Sequence, residues 1–215
     1  MIDAGAIGDP LTIRIKANPG KSRTAWAVPA TSQAWRIDPK RCGGGQMVYD
    51  DGHHHVALAW YFMGMAEEVH AWIGETLAPD GVALDAPALI SWKFPGNRYG
   101  VLEIVYSPEL EIITRHYSQD DRVEITGTRG VIWVSQGHGR IGDQAPVVLY
   151  ADGETRAFSD VQTGWETSFM MSTRHLIEAM LNDTPHKLSG EEGRDILRFN
   201  LAASESARLG RAVKL

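Results

Sequence analysis

Residues 42–64 read CGGGQMVYDDGHHHVALAWYFMG, and this stretch decides how the fold is interpreted. Three glycines lead into two adjacent aspartates and three adjacent histidines, and an apolar segment follows. If the segment is helical, four apolar side chains recur with the spacing i, i+3, i+4 and i+7: Val56, Ala59, Trp60 and Met63. This spacing predicts an amphipathic helix that buries one stripe against a core.

The polar side chains of this helix are predicted to gather away from the apolar stripe. At about 100° per residue, Asp50, Asp51 and His54 lie roughly opposite it. His55 flanks them, and His53 lies nearer the core. The spacing i, i+4 lets each carboxylate reach one imidazole, in the pairs Asp50–His54 and Asp51–His55. Any chemistry of the chain is expected here.

The whole chain, residues 1–215, is predicted to form one α+β domain. Short apolar runs separated by turn residues, such as Phe94-Pro95-Gly96-Asn97, predict antiparallel strands. The predicted strands are 11–17, 67–74, 87–94, 99–107, 110–117, 121–127, 130–135 and 145–158, the last with a turn at Asp152-Gly153. The predicted helices are 47–63, 163–182 and 190–209, and the last two begin at capping boxes. This order predicts a large, mostly antiparallel sheet with helices on one face.

The other face of the sheet is predicted to support subunit association. The strands carry more large apolar residues than a wet face needs: Trp92, Phe94, Leu102, Ile104, Tyr106, Ile112, Ile132 and Val134. An exposed apolar sheet would be an aggregation hazard. A homodimer or larger symmetric assembly is therefore expected.

Composition excludes several classes of partner. The net charge is −6 and the sequence pI is about 5.7, with no large cluster of Lys or Arg, which argues against nucleic acid. The single cysteine, Cys42, excludes an internal disulfide and fits a reducing compartment. The first ten residues contain no secretion signal, and the longest apolar run, Val56–Ala66, is too short to span a bilayer. A cytoplasmic protein without membrane contact is expected.

Four segments together resemble a known family. The pattern GGG, D-x-G-x-H and an apolar helix ending in W-x-x-x-G is similar to the start of the C-terminal domain in the glucose–fructose oxidoreductase / inositol dehydrogenase (Gfo/Idh/MocA) family. The matching positions are Gly43–Gly45, Asp50, Gly52, His54, Trp60 and Gly64, with one extra residue between the glycines and the aspartate. Residues 4–15, 122–134 and 189–215 resemble further family segments, so the resemblance covers nearly the whole chain.

The resemblance implies a domain that binds a sugar or polyol. Asp50 and His54 match the family positions that contact sugar hydroxyls and assist proton transfer, so they are the candidate catalytic residues. Arg14 and Lys16 on the first strand are candidates for lining the same pocket. Trp35, in a long loop over 18–41, is a candidate platform for a sugar face.

The resemblance also implies a nicotinamide cofactor that this sequence is not equipped to hold. Family members carry a Rossmann domain with a G-x-G-x-x-G turn that opens a helix. The match at Gly137–Gly142 leads into another strand-like run, so it offers no helix N-terminus to a pyrophosphate. We expect no binding of NAD(P) by this chain alone, and hydride transfer only together with a separate nucleotide-binding subunit.

A second hypothesis is a metal-dependent hydrolase. Its predicted ligands for Zn²⁺ or Mn²⁺ are Asp50, Asp51, His54 and His55, with His116 contributing across the sheet. Such a metal would lower the pKa of bound water and direct it at an ester or phosphoester. A metal centre needs three or four ligands converging from different segments, and the sequence leaves this alternative open.

Overall fold

A computed structural model describes residues 1–19, 31, 34–114, 119–135 and 141–215. Within them the architecture is α+β, with helices against one face of a large sheet. The long helices are α1 (Gly52–Met63), α2 (Trp165–Leu181) and α3 (Gly190–Leu209). The predicted fold class is confirmed.

The described strands are nearly all paired into one sheet. In chain order they are β1 (Pro10–Ala17), β2 (Glu68–Ile73), β3 (Thr76–Leu77), β4 (Ala83–Leu84), β5 (Ala88–Phe94), β6 (Arg98–Ile104), β7 (Arg122–Gly127), β8 (Gly130–Val134), β9 (Val147–Ala151), β10 (Glu154–Phe158) and β11 (Val213–Lys214). β3 and β4 pair as a separate hairpin, and the other nine form a sheet in the order β10-β9-β8-β7-β1-β6-β5-β2-β11.

The pairing is antiparallel except at the centre of the sheet, where β1 and β6 run parallel. The hairpins β5–β6, β7–β8 and β9–β10 follow the turns seen in the sequence. Turn chemistry determines only how consecutive strands pair. The β1–β6 pair joins segments that are far apart in the chain, so local turns gave no information about it.

Alternation along the strands creates two different sheet faces. On β1, Ile13 and Ile15 are buried on the helix side, whereas Arg14 is exposed on the other side. Five of the eight large apolar residues named from the sequence are buried on the side of the sheet that faces the helices: Trp92, Phe94, Leu102, Ile104 and Ile132. The open face instead exposes a different apolar set, namely Trp72, Leu89, Tyr99, Trp133 and Tyr150.

Helix α3 packs over β5 through an aromatic contact. Phe199 meets Trp92 edge to face, with ring centroids 5.4 Å apart. Trp92 pairs across the strands with Gly100, where a Cβ would overlap the indole ring. The absence of a side chain at Gly100 therefore gives Trp92, and through it α3, the room to pack against the sheet.

Helix α2 is positioned differently from the other two. Its apolar stripe consists of Phe169, Leu176 and Met180, which are 54%, 46% and 74% exposed. Ala179 is the buried residue of this helix. α2 therefore presents its apolar stripe to solvent.

One predicted strand, 110–117, is not formed over the part of it that the structure describes. Over 110–117, the described residues 110–114 make no strand, and 115–117 lie outside the described residues. Leu110 N donates to Ser107 O at 3.3 Å, which closes a turn containing Pro108 and ends the extended backbone after β6. None of the described helices is both long and apolar enough to cross a membrane.

Candidate functional site

The three glycines that precede the site each have a steric or backbone reason. Gly43 has φ +90°, a region open to glycine at little cost. A Cβ on Gly44 would overlap the Tyr49 ring, and a Cβ on Gly45 would overlap the carboxyl group of Asp85. The glycine run therefore reflects close packing at the start of the helical segment.

Asp85 fixes the first turn of this segment. Its carboxylate accepts hydrogen bonds from the backbone N–H groups of Met47 and Val48, at 2.7 and 2.8 Å. The turn itself, Gln46–Asp51, is π-helical.

Asp50 lies against a cation. Its Oδ2 is 3.0 Å from Arg36 Nε, an ion pair whose angle is too poor for a hydrogen bond. The Arg36 guanidinium also lies 5.1 Å from the centre of the Trp35 ring, a cation–π contact that brings Trp35 to the site. The predicted Asp50–His54 pair is not formed among the described residues. Asp50 is paired with Arg36 instead.

His54 and His53 lie on either side of the exposed end of the site. His54 is exposed, and its ring centre is 6.2 Å from that of His53. His53 is half-buried, with Nδ1 3.1 Å from Nδ2 of Asn200 on α3. Burial, helped by His54, lowers the pKa of His53, although Asp50 opposes this shift.

A buried acid–imidazole cluster lies beneath these groups. His55 is 7% exposed, and its Nε2 is 3.6 Å from Asp51 Oδ2, which is longer than a hydrogen bond. The two side chains form an ion pair when His55 is protonated. Asp121 lies just before β7, and burial raises the pKa of its carboxyl group to about 7. The nearby carboxylates Asp51 and Asp120 also raise this pKa, whereas His55 lowers it. Burial by itself would lower the pKa of His55. The attraction of Asp51 and Asp121 is larger than this effect, so the pKa of His55 is raised.

The burial order of the histidines differs from the prediction. His55 is the deeply buried one, and His53 is only partly covered. Both flank the apolar stripe at similar angles on an ideal helix, so the helix period alone does not rank them. The sheet side covers His55 fully, whereas the α3 side leaves part of His53 exposed.

Arg14 and Lys16 lie on the opposite side of the sheet from α1. Lys16 Nζ is 3.3 Å from Asp120 Oδ2, and Arg14 is 3.9 Å from Glu124. Both line a cavity of about 630 Å³ on the open face, together with Trp133, whose indole N–H donates to Glu124 at 2.8 Å. They are therefore not brought together with Asp50 and His54.

The predicted metal ligands are divided between different surroundings. Asp51 and His55 are in the buried cluster, Asp50 pairs with Arg36, and His54 is exposed. His116 lies outside the described residues. Among those that are described, no group of three or more His, Cys, Asp or Glu side chains is arranged to hold a metal ion.

Four residues of the site were not found from the sequence: Arg36, Asp85, Asp121 and Asn200. Arg36, Asp85 and Asp121 come from segments that are distant in sequence from the histidines, and nothing in their local patterns indicates the contact. Asn200 did carry a signal. It follows Ile196 by four residues in α3 and so places an amide on a buried helix face, where a polar group needs a partner.

The fold places this chain in the class of sheet domains found in solved oxidoreductases. An oxidoreductase from Agrobacterium radiobacter, in complex with NAD+, L-tartaric acid and magnesium, has TM-score 0.76 and 19% identity, over 99% of this chain and 59% of that one. A levoglucosan dehydrogenase in complex with NADH and levoglucosan has TM-score 0.77 and 18% identity, over 100% and 60%. An NAD binding oxidoreductase from Klebsiella pneumoniae has TM-score 0.74 and 18% identity, over 99% and 61%.

The sequence comparison is more specific. Residues 1–133 match the model of the GFO/IDH/MocA C-terminal domain, and the chain belongs to that family. A search of curated protein sequences gives no significant match. The chain spans about three fifths of the length of the similar solved structures.

Proposed function

We propose that this domain is the substrate-binding half of a nicotinamide-dependent oxidoreductase that acts on a sugar or polyol. The observation that carries the proposal is the group at the start of α1, where Asp50 is held by Arg36 and His54 is exposed beside it. The resemblance seen in the sequence matches both residues to the family's positions for substrate contact. The related structures bound to levoglucosan and L-tartaric acid support a small, oxygen-rich ligand.

Each side chain of the group has a defined role in the proposal. The carboxylate of Asp50 accepts hydrogen bonds from substrate hydroxyls, and Arg36 holds it in place. The exposed imidazole of His54 accepts the hydroxyl proton as a general base. Trp35, fixed from one side by Arg36, offers its ring to the apolar face of the sugar. Together these groups bind, orient and deprotonate an alcohol.

The hydride acceptor is proposed to be a nicotinamide held by a separate nucleotide-binding domain or subunit. Two of the described helix starts have their backbone amides already occupied and do not fit a pyrophosphate. Asp85 already occupies the amides of Met47 and Val48, and Ser189 and Glu192 form a complete capping box at α3. Gly137–Arg140 lie outside the described residues. No step assigned to this chain runs through a nucleotide bound to it.

Self-association through the open face of the sheet is the second part of the proposal. Trp72, Tyr99, Trp133 and Tyr150 are each at least 37% exposed on that face. A second copy would cover them and the cavity beside Arg14 and Lys16. We further propose a cytoplasmic location, for which the single cysteine is the supporting observation.

No observation favours the metal-dependent hydrolase. Among the described residues, the two carboxylate–imidazole pairs on which it rested are reduced to one, Asp51–His55, and the imidazole of that pair is buried. The substrate-binding role is therefore the better supported one.

Binding measurements on the purified chain test the proposal. Levoglucosan, L-sorbose and L-tartrate are titrated and followed by ligand-observed NMR, and NADH is titrated separately by fluorescence. We expect weak binding of at least one polyol, reduced at least about tenfold by Asp50→Asn and by His54→Ala, which each remove a direct hydrogen bond. His186→Ala, in an exposed loop, is the matched control and should bind as the wild type does.

Two outcomes contradict the proposal. Polyol binding that is unchanged in both site variants would place the ligand elsewhere. Saturable binding of NADH at micromolar concentration would show that this chain holds the nucleotide itself.

A further inference from the structure

We propose that His53 is a third substrate-contacting residue of this site, and that Asn200 positions it as a neutral imidazole with its proton on Nε2. The inference rests on the proposed function, because it concerns the same ligand. It adds a hydrogen-bond donor beside Asp50 and His54, which are proposed to accept a hydrogen bond and a proton.

The contact between the two helices defines the state of the ring. Asn200 is fully buried on α3, and its Nδ2 lies 3.1 Å from His53 Nδ1. Because Nδ2 of Asn200, an amide nitrogen that only donates, faces the ring, Nδ1 is the acceptor and the ring proton is assigned to Nε2. A doubly protonated ring would set one donor against another inside the fold. Burying an amide is costly without a hydrogen bond, so this contact is a specific restraint on His53.

The ring is close to the groups proposed to bind substrate. Its centre is 6.2 Å from that of His54, and Asp50 lies three residues before it on the same helical segment. His53 is only half-buried, and within the described part of the chain no protein group accepts a hydrogen bond from its Nε2. The Nε2–H group is therefore available to a ligand.

The acceptor on Asp50 and the donor on His53 together indicate which kind of ligand the site would bind. A hydroxyl group both donates and accepts, so it is recognised best by an acceptor and a donor together. Asp50 supplies the acceptor, and Nε2–H of His53 supplies the donor. Together they can bind two neighbouring oxygen atoms of a ligand, one in a hydroxyl group and the other in a hydroxyl or carbonyl group. A vicinal diol or an α-hydroxy carbonyl has this arrangement, whereas an isolated alcohol uses only one of the two groups.

The ring nitrogens can be observed directly. In protein labelled with ¹⁵N at histidine, long-range nitrogen–proton spectra at pH 8 report the tautomer of each ring. We expect the Nε2–H form for His53 in the wild type, a mixture of tautomers in Asn200→Leu, and the Nδ1–H form in Asn200→Asp, whose carboxylate accepts. Asn182→Asp, at the exposed end of α2, is the control and should leave the His53 signals unchanged.

A binding measurement with levoglucosan and L-sorbose tests the role in recognition. His53→Phe keeps a ring of similar shape and removes the Nε2–H donor. This test can be carried out whether or not the Asn200 variants fold. It should weaken binding about three- to tenfold, the effect of losing one hydrogen bond. A wild-type His53 in the Nδ1–H form overturns the role of Asn200. Binding unchanged in His53→Phe but lost in Asp50→Asn overturns the role of His53 and leaves the proposed function standing.

Discussion

The carboxyl group of Asp85 occupies the space in which a Cβ on Gly45 would lie. The same carboxylate accepts the amide hydrogens of Met47 and Val48, in the first turn of the helical segment that carries the site. The residue before α1, Asp51, makes no side-chain cap of its own. The position of the site helix is therefore fixed by a residue from a distant part of the chain.

Gly45→Ala should destabilise the fold by about 1–3 kcal/mol, the usual cost of overpacking. Gly45 has φ −81° and ψ 154°, which alanine adopts freely, so the effect comes from the clash with Asp85 alone. Urea unfolding measures it. Gly193→Ala, in open space on α3, is the control and should be neutral or slightly stabilising. Equal effects at the two glycines would contradict this account.

Asp85→Ala should cost about 2–4 kcal/mol, because two backbone donors lose a charged acceptor. The double variant Gly45→Ala/Asp85→Ala should be less destabilised than the sum of the single variants, since removing the carboxyl group at position 85 vacates the space that the new methyl group needs. Strict additivity in the double-mutant cycle would show that the two residues do not compete for this space.

Asp121→Asn should change the pH dependence of stability. The pKa of Asp121 is raised to about 7 in the fold, so between about pH 4 and 7 the native state keeps a proton that the unfolded state releases. The free energy of unfolding of the wild type therefore falls across this window, and asparagine removes that contribution.

Thermal unfolding between pH 4 and 6 tests this pH dependence. The pKa of His55 is raised above 6.5, so in this range His55 is protonated in both the folded and the unfolded state and does not add to the effect. The stability of Asp121→Asn relative to the wild type should increase with pH. Asp9→Asn, on the exposed surface, is the control that should not follow this profile. A relative stability that decreases with pH would mean that Asp121 is charged and stabilised in the fold.

Tyr99→Glu and Trp133→Glu should shift the protein towards the monomer. Both side chains are exposed on the open face, so the substitutions should leave the stability of the fold nearly unchanged while placing charges in a proposed interface of more than about 1,000 Å². Light scattering at several concentrations measures the change. Phe169→Glu on α2 is the control. A wild type that is monomeric at high micromolar concentration would remove the basis for this interface.

The sequence-based predictions were accurate for features that depend on residues close together in the chain, and they missed contacts between distant segments. The predicted helix 190–209 matches α3, because its start depends on a local capping box at Ser189 and its end on Gly210. The hairpins were likewise predicted from turn residues. The Arg36–Asp50 pair and the surroundings of Asp121 arise only when distant segments pack together, so no local period or motif revealed them.

The outward stripe of α2 has a consequence for the dynamics of the fold. A helix that buries little apolar surface gains little from its place in the native structure, so it can open without the rest of the domain. The amide hydrogens of α2 should then exchange with solvent far faster than those of α3, whose Phe199 and Ile196 are buried. In this fold, α2 is the element most readily reoriented by whatever comes to lie against its apolar side.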